Sequence, residues 1–259
     1  MPLSTAELED LRAAKRLLEI PGLAARISDY VGAPIERGIA LLPAPWSAAV
    51  NAATRTSIAA ALDAALWSMD HRRAAAPSNR WHKLAVGTAG AAGGVFGLAA
   101  LAIELPVSTT IMLRSIADIA RSQGENLTLP EAKLECVQVL ALGGGSTSDD
   151  GSETGYFAAR AAMAKAVSDA ARHLASRGLS QQGAPAIVRL IALIASRFSI
   201  IVSEKAAAQA VPVLGALGGA VINTLFIDHF QDMGKGHFIV RRLERAHGRD
   251  EVKRIYEKL

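Results

Sequence analysis

Acidic and histidine side chains near the C-terminal end of this chain have the types and spacing to hold a metal ion. His229 and Asp232 are three residues apart, so a helix would place them on one face. Asp228 and His237 lie close by in sequence. Carboxylate and imidazole together suit zinc, manganese or iron, and a glutamate from another helix, such as Glu104 or Glu135, would complete such a set. One hypothesis is therefore a divalent metal bound by Glu104, His229 and Asp232; the other is that both histidines only cap helices or donate hydrogen bonds.

Glu104 also permits other interpretations, because it closes an apolar run and precedes Pro106. Proline suits the first position of a helix, so Pro106 predicts a helix that begins there. Thr109 and Thr110 would occupy its first turn, where free N–H groups favour an anion. Arg114 would lie one turn further on. Glu104 would then pair with Arg114, cap the new helix or ligate a cation.

Basic side chains concentrate at the C-terminal end of the chain. Residues 233–259 contain eight Lys/Arg and four Asp/Glu, which accounts for the whole formal charge of +4. Arg241, Arg242 and Arg245 flank apolar positions of one predicted helix, as in an interfacial helix on anionic lipid or on the surface of a soluble bundle. With Arg114 they are the candidate lipid- or anion-binding residues. No nucleic-acid-binding motif is present, so we expect no nucleic-acid partner.

Two glycine-rich apolar segments must position these side chains. Residues 84–103 form a run of twenty residues without a charge, long enough to cross a bilayer as a helix. Gly90, Gly94 and Gly97 fall three or four apart within it, and Gly215 and Gly219 repeat the spacing later in the chain. Such spacing is typical of close helix–helix contact, in lipid or in a soluble bundle. We therefore expect the two helices to pack on each other, or to pair between copies in an oligomer.

Composition favours helices throughout. Apolar residues make up 51 % of the chain, only 5 % of residues are aromatic, and the mean hydropathy is +0.24. The single cysteine, Cys136, excludes an internal disulfide and a cysteine-rich zinc site. We predict an all-α multi-helix bundle in one domain over residues 1–259, with a helical N-terminal extension at 1–47 and a flexible loop at 143–155. The acidic N-terminal segment is not a signal peptide, so we expect a cytoplasmic protein.

Helix boundaries follow from capping residues, proline and glycine. Ser4–Glu7 and Thr128–Glu131 read as capping boxes. Residues 184–195 and 198–210 are predicted as two helices, as are 212–227 and 235–247. Glycines at positions 234 and 236 would allow a turn before the last of these.

Three stretches in order, residues 87–127, 129–144 and 206–248, resemble the EcsC family. The resemblance covers most of Ala48–Leu259. It implies an all-helical, mostly bacterial family of unassigned biochemistry, named from an operon that also encodes an ABC transporter. Some relatives carry a zinc-endopeptidase label, but the H-x-H pair and the H-E-x-x-H motif are absent here.

Together these observations predict a non-enzymatic helical protein associated with the inner face of a membrane. Its partner would be anionic lipid or a membrane protein complex such as a transport system. The alternative is a soluble helical bundle with a metal or polar site formed by Glu104, His229 and Asp232.

Overall fold

A computed structural model describes residues 3–19, 22–31, 46–68, 98–143, 155–177, 184–210 and 215–259. These residues form nine α-helices and no strand, which confirms the predicted all-α multi-helix bundle. A single 3₁₀ turn, Val139–Ala141, follows the fifth helix. The helices are α1 (Thr5–Leu18), α2 (Leu23–Val31), α3 (Trp46–Ser68), α4 (Leu98–Ser122), α5 (Pro130–Gln138), α6 (Gly155–Arg177), α7 (Pro185–Gln209), α8 (Gly215–His247) and α9 (Arg249–Tyr256).

One of the two predicted capping boxes is confirmed. Ser4 caps α1: its hydroxyl accepts from the Glu7 N–H at 3.3 Å, and the Glu7 carboxylate accepts from the Ser4 N–H at 2.8 Å. The prediction of a capping box at Thr128 is wrong, because the Thr128 hydroxyl donates to the side chain of Asn126 at 2.8 Å and does not cap the helix. Helix α5 begins without a side-chain cap; Pro130 at its first position already has the backbone angle that a helix needs.

Three predicted helix breaks do not occur. Helix α4 continues through Pro106, α7 is a single helix, and α8 continues through Gly234 and Gly236. A proline removes one backbone hydrogen bond but keeps a helical φ. A glycine costs a helix only about 1 kcal/mol, which tertiary packing can offset. Local helix preference does not predict this continuity, because it contains no information about the neighbouring helices that these helices pack against.

Helix α8 is the axis of the bundle. It packs against α1, α2, α4, α7 and α9, while α3 packs against α4 and α7, and α6 packs against α5 and α7. Aromatic rings seal the contact between α7 and α8. The ring centroid of Phe230 lies 5.4 Å from that of Phe198 and 5.2 Å from that of Phe226, both in edge-to-face geometry.

Close approach of two helices through glycine occurs where α8 crosses α1. A Cβ on Gly236 would lie 2.6 Å from Leu18 Cγ and 3.0 Å from the Ala14 carbonyl oxygen, so only glycine fits. A Cβ on Gly234 would meet Ile116 and Ile119 at ordinary distances of 3.6–3.8 Å. The residue predicted to permit a turn thus permits a helix–helix contact instead.

Candidate functional site

The exposed side of α7 is the first candidate site. Val188, Leu193 and Ile200 are 52 %, 36 % and 41 % exposed. At 100° per residue they share one side of the helix with three serines. We call this surface the α7 face and define it by Val188, Leu193, Ser196, Ser199, Ile200 and Ser203.

The serine hydroxyls of the α7 face donate hydrogen bonds to backbone carbonyls of α7 itself. Ser196 donates to the Leu193 carbonyl at 2.8 Å, Ser199 to the Ser196 carbonyl at 3.0 Å and Ser203 to the Ser199 carbonyl at 2.7 Å. A hydroxyl that is bonded in this way needs no water partner for its proton. The α7 face is therefore less polar than its serine content indicates.

Helix α7 is the one helix in the described residues that is long and apolar enough to cross a membrane. Its most apolar window has a mean hydropathy of 2.0. The core helix of a soluble protein passes the same test, but only 39 % of this window is buried. Most of the residues in the predicted membrane segment, 84–103, lie outside the described part of the chain, as do Gly90, Gly94 and Gly97. Gly215 begins α8, and Gly219 is buried within it.

The inward side of α7 holds a buried ion pair. The Lys205 ammonium lies 2.6 Å from Glu104 Oε1, and both side chains are almost fully buried. It also lies 4.7 Å from the centroid of the Phe226 ring, close enough for a cation–π contact. Burial lowers the pKa of Lys205, while the negative charge and hydrogen bond of Glu104 act to raise it. This pair joins α7 to α4.

The sequence predictions around Glu104 need correction. Its partner is Lys205, 101 positions away, and not Arg114. Thr109 and Thr110 lie inside the continuous helix α4, so there is no helix N-terminus to bind an anion there. Arg114 is exposed and makes no ion pair with any described residue.

A second candidate site is a buried polar chain that joins α5, α6 and α8. Nε2 of His237 lies 3.1 Å from the Glu135 carboxylate, and Nδ1 lies 3.0 Å from the Tyr156 hydroxyl. Burial would raise the pKa of Glu135, but the hydrogen bond and charge of His237 and the charges of Arg241 and Arg160 lower it to about 2. Burial lowers the pKa of His237. The ring of His237 is therefore neutral near neutral pH, where it donates from Nε2 to Glu135 and accepts at Nδ1 from Tyr156, and it carries a charge only in acid, where Glu135 titrates.

The hydrogen bonds from Tyr156 through His237 to Glu135 follow the hydroxyl–imidazole–carboxylate order of a catalytic relay. Their buried environment favours a structural role instead. Burial raises the pKa of Tyr156 far above its usual range, so the hydroxyl stays protonated. Arg160 beside it donates both terminal N–H groups to Glu244, at 2.7 and 2.9 Å. Arg160 and Glu244 also form part of the wall of a surface cleft of about 330 Å³ between α6 and α9, where the charge of Arg160 is already paired with that of Glu244.

The three C-terminal arginines predicted to face an anionic surface form ion pairs within the protein, Arg241 in a partly buried position and Arg242 and Arg245 at the surface. Arg241 lies 2.9 Å from Glu135 and 2.8 Å from Glu125, and Arg245 also pairs with Glu125. Arg242 lies 2.5 Å from Asp10. The apolar side of their helix packs into the core, with Phe238, Val240 and Leu243 buried. These three basic side chains therefore make ion pairs with acidic residues earlier in the chain, although the net charge of the protein remains +4.

The two carboxylates predicted as metal ligands are paired with basic side chains instead. Glu104 is bonded to Lys205, and Asp232 lies 3.3 Å from Arg26 and 3.4 Å from Lys235. His229 is fully buried on α8. Among the residues that the structure describes, no group of three His, Cys, Asp or Glu side chains is placed to hold a metal ion.

No curated protein and no solved structure matches this chain. Among sequence families, the EcsC protein family matches residues 6–243, a range that begins in α1 and includes most of the predicted N-terminal extension at 1–47. The match covers more than half of the chain, and the protein therefore belongs to the EcsC protein family.

Proposed function

We propose that this protein binds a lipid bilayer through the α7 face. The observation that carries the proposal is the combination of three large apolar side chains and three self-bonded serines on one exposed side of a 25-residue helix. Exposed apolar surface of this kind commonly marks an interaction site. The proposal places the protein at the inner face of a membrane and leaves it without a catalytic role.

Arg189 is the reason to expect that the α7 face prefers anionic lipid. It lies within the arc of the α7 face, is exposed, and makes no ion pair with any described residue. A long arginine side chain can keep its guanidinium at the headgroups while its methylene groups lie along apolar surface. Each basic residue near an anionic leaflet contributes about 1 kcal/mol.

Vesicle flotation tests the proposal. We expect the wild-type protein to float with phosphatidylglycerol vesicles. A triple variant, Val188→Ser, Leu193→Ser and Ile200→Ser, loses about 1 kcal/mol of transfer free energy per site, or roughly 100-fold in partitioning. Arg189→Gln should reduce binding to phosphatidylglycerol more than binding to phosphatidylcholine.

The matched control is a double variant, Val107→Ser and Leu129→Ser, which removes two exposed apolar side chains outside α7. It should float like the wild type. Circular dichroism confirms that all variants remain helical. Equal flotation of the wild-type protein and the triple variant, or no flotation of either, would overturn the proposal. If the protein does not bind vesicles but specifically captures a membrane protein complex, the α7 face binds a protein partner and not lipid.

A further inference from the structure

The surface cleft between α6 and α9 has the size of a small-molecule site. Its volume is about 330 Å³, and it shares no residue with the α7 face. Ligand pockets in proteins typically enclose roughly 300–1,000 Å³. Phe157, Ala161 and Ala164 line the cleft from α6, at spacings of four and three residues that place them on one face of the helix. These three side chains provide the cleft with an apolar wall.

Packing fixes this wall in place. The ring centroid of Phe157 lies 5.0 Å from that of Tyr156 and 5.1 Å from that of Tyr256, both in edge-to-face geometry. Arg160 is only 5 % exposed and lies 5.4 Å from the Tyr156 ring centroid. Its guanidinium is bonded twice to Glu244. Binding sites for small molecules are usually largely formed before the ligand arrives, and these contacts meet that condition.

Helix α9 supplies the charged part of the cleft. Gly248 has a φ of +89°, which glycine adopts without strain, and it allows the turn from α8 into α9. Arg249, Asp250 and Lys253 follow it and line the cleft. Arg249 is exposed and makes no ion pair with any described residue. Lys253 contacts Glu257 at 3.6 Å, but its side chain is 38 % exposed, and solvent screens such a surface pair so that the ammonium can exchange partners.

We propose that this α6–α9 cleft binds a small organic carboxylate with an apolar body. The carboxylate accepts charge-assisted hydrogen bonds from Arg249 and Lys253. The apolar body packs against Phe157, Ala161 and Ala164. An inorganic anion would lack this apolar contact, and an organic cation would meet two positive charges and one negative charge from α9.

NMR titration of the full chain, with labelled alanine methyl groups, tests the proposal with three probes. We expect 3-phenylpropionate to shift the methyl signals of Ala161 and Ala164 saturably. Propionate has the same carboxylate without the ring and should bind roughly tenfold more weakly, because it buries less apolar area. 3-Phenylpropylamine keeps the ring and reverses the charge, and it should also bind more weakly than 3-phenylpropionate.

Variants separate the apolar part of the cleft from the charged part. Ala164→Leu fills the cleft and should abolish binding, whereas Ala162→Leu adds the same side chain at an exposed α6 position outside the lining and should bind like the wild type. Arg249→Gln combined with Lys253→Gln should weaken the binding of 3-phenylpropionate roughly fivefold. Asp250→Asn should strengthen it, because the variant removes the negative charge that opposes the carboxylate.

The opposite signs expected at Asp250 and at the two basic residues distinguish a charge-selective site from general adsorption on apolar surface. Circular dichroism confirms that each variant remains helical. Absence of saturable shifts with 3-phenylpropionate, equal binding of any two probes, or unchanged binding in Ala164→Leu would overturn the proposal. The α7 triple variant should bind 3-phenylpropionate like the wild type, so this result is independent of the membrane proposal.

Discussion

At the scale of single residues, the contact between Glu104 and Lys205 shows how burial sets the value of an ion pair. Each charge loses its hydration in the core, and the attraction between them offsets that cost only while both are present. Their 2.6 Å contact has no access to solvent that could replace either partner. The pair therefore makes the arrangement of α4 and α7 depend on both residues together.

Removing one partner should be far more damaging than removing both. We expect Lys205→Met and Glu104→Leu each to lower the free energy of unfolding by about 3–5 kcal/mol, because each leaves a buried charge unpaired. The double variant should recover most of that loss. Urea unfolding measures both effects. Lys165→Ala, which removes an exposed pair with Asp169, serves as the control and should change stability by less than about 1 kcal/mol.

Buried histidines give the protein a predictable loss of stability in acid. The pKa of His229 is about 4 in the fold and about 6.5 in an unfolded chain. As the pH falls below about 6.5, the imidazole of His229 is therefore protonated in the unfolded chain but stays neutral in the folded protein. The stabilisation is complete above that pH and is lost as the pH falls through about 4, with a size on the order of 3 kcal/mol. His237, whose pKa is also lowered, acts in the same direction.

Unfolding by urea in phosphate-free buffer, between about pH 7 and about pH 5.5, measures this dependence. His229→Phe should reduce the pH slope, and His237, whose pKa burial also lowers, contributes to the slope that remains. The Glu135 carboxylate, with a pKa of about 2, loses its stabilising contribution at lower pH, as it titrates between its unfolded value and that value. A slope identical in wild type and variant would contradict the assigned burial of His229.

Sequence reasoning at this scale identified chemically unusual residues but not their partners. Glu104, His229 and His237 stood out because charged or titratable groups interrupt apolar patterns. Lys205 as the partner of Glu104, and Tyr156 as the partner of His237, are 101 and 81 positions away. Helical periodicity predicts which face a residue occupies, but it does not specify which helix lies opposite. The prediction of a free basic surface at Arg241 is wrong for the same reason, because the sequence does not show which acidic residues lie opposite.

At the scale of elements, helix existence was predictable and helix ends were less so. The alanine-rich helix α3 and the capped helix α1 follow directly from composition and from Ser4–Glu7. The continuity of α4 through Pro106, and of α8 through Gly236, does not. Both residues weaken a helix locally, and both are kept helical by packing that a single chain segment does not encode.

The glycines of α8 give an internal comparison of backbone cost and packing need. Gly236→Ala should destabilise the protein by about 1–3 kcal/mol, because its Cβ would collide with Leu18 and with the backbone of α1. Gly234→Ala should stabilise it by up to about 1 kcal/mol, since its Cβ meets only ordinary contacts and alanine favours the helix. Thermal unfolding of the two variants measures both signs. A stable Gly236→Ala protein would disprove the close crossing of α1 and α8.

At the scale of the whole molecule, the N-terminal helix closes against the C-terminal part of the chain. Helix α1 packs along α8 and touches α9. Polar contacts flank this interface, with His247 at 2.8 Å from Glu7 and the Lys15 ammonium at 3.1 Å from the Tyr256 carbonyl. The range of the family match, which begins at residue 6, agrees with α1 as an integral part of the bundle.

Deletion of residues 1–22 should therefore unfold or aggregate the protein. The deletion exposes the surface of α8 that Leu11, Ala14 and Leu18 cover. Each large apolar side chain contributes about 1.5–3 kcal/mol, against a typical total stability of about 5–15 kcal/mol. Arg242→Gln with His247→Gln is the matched control, because it removes two polar contacts of the same interface and keeps the apolar one. It should cost only about 1 kcal/mol. Light scattering and thermal unfolding compare the two proteins. A deletion variant that stays monomeric and as stable as the control would show that α1 is a dispensable extension. Unfolding or aggregation of the deletion variant beside a stable control would show that apolar burial closes the bundle.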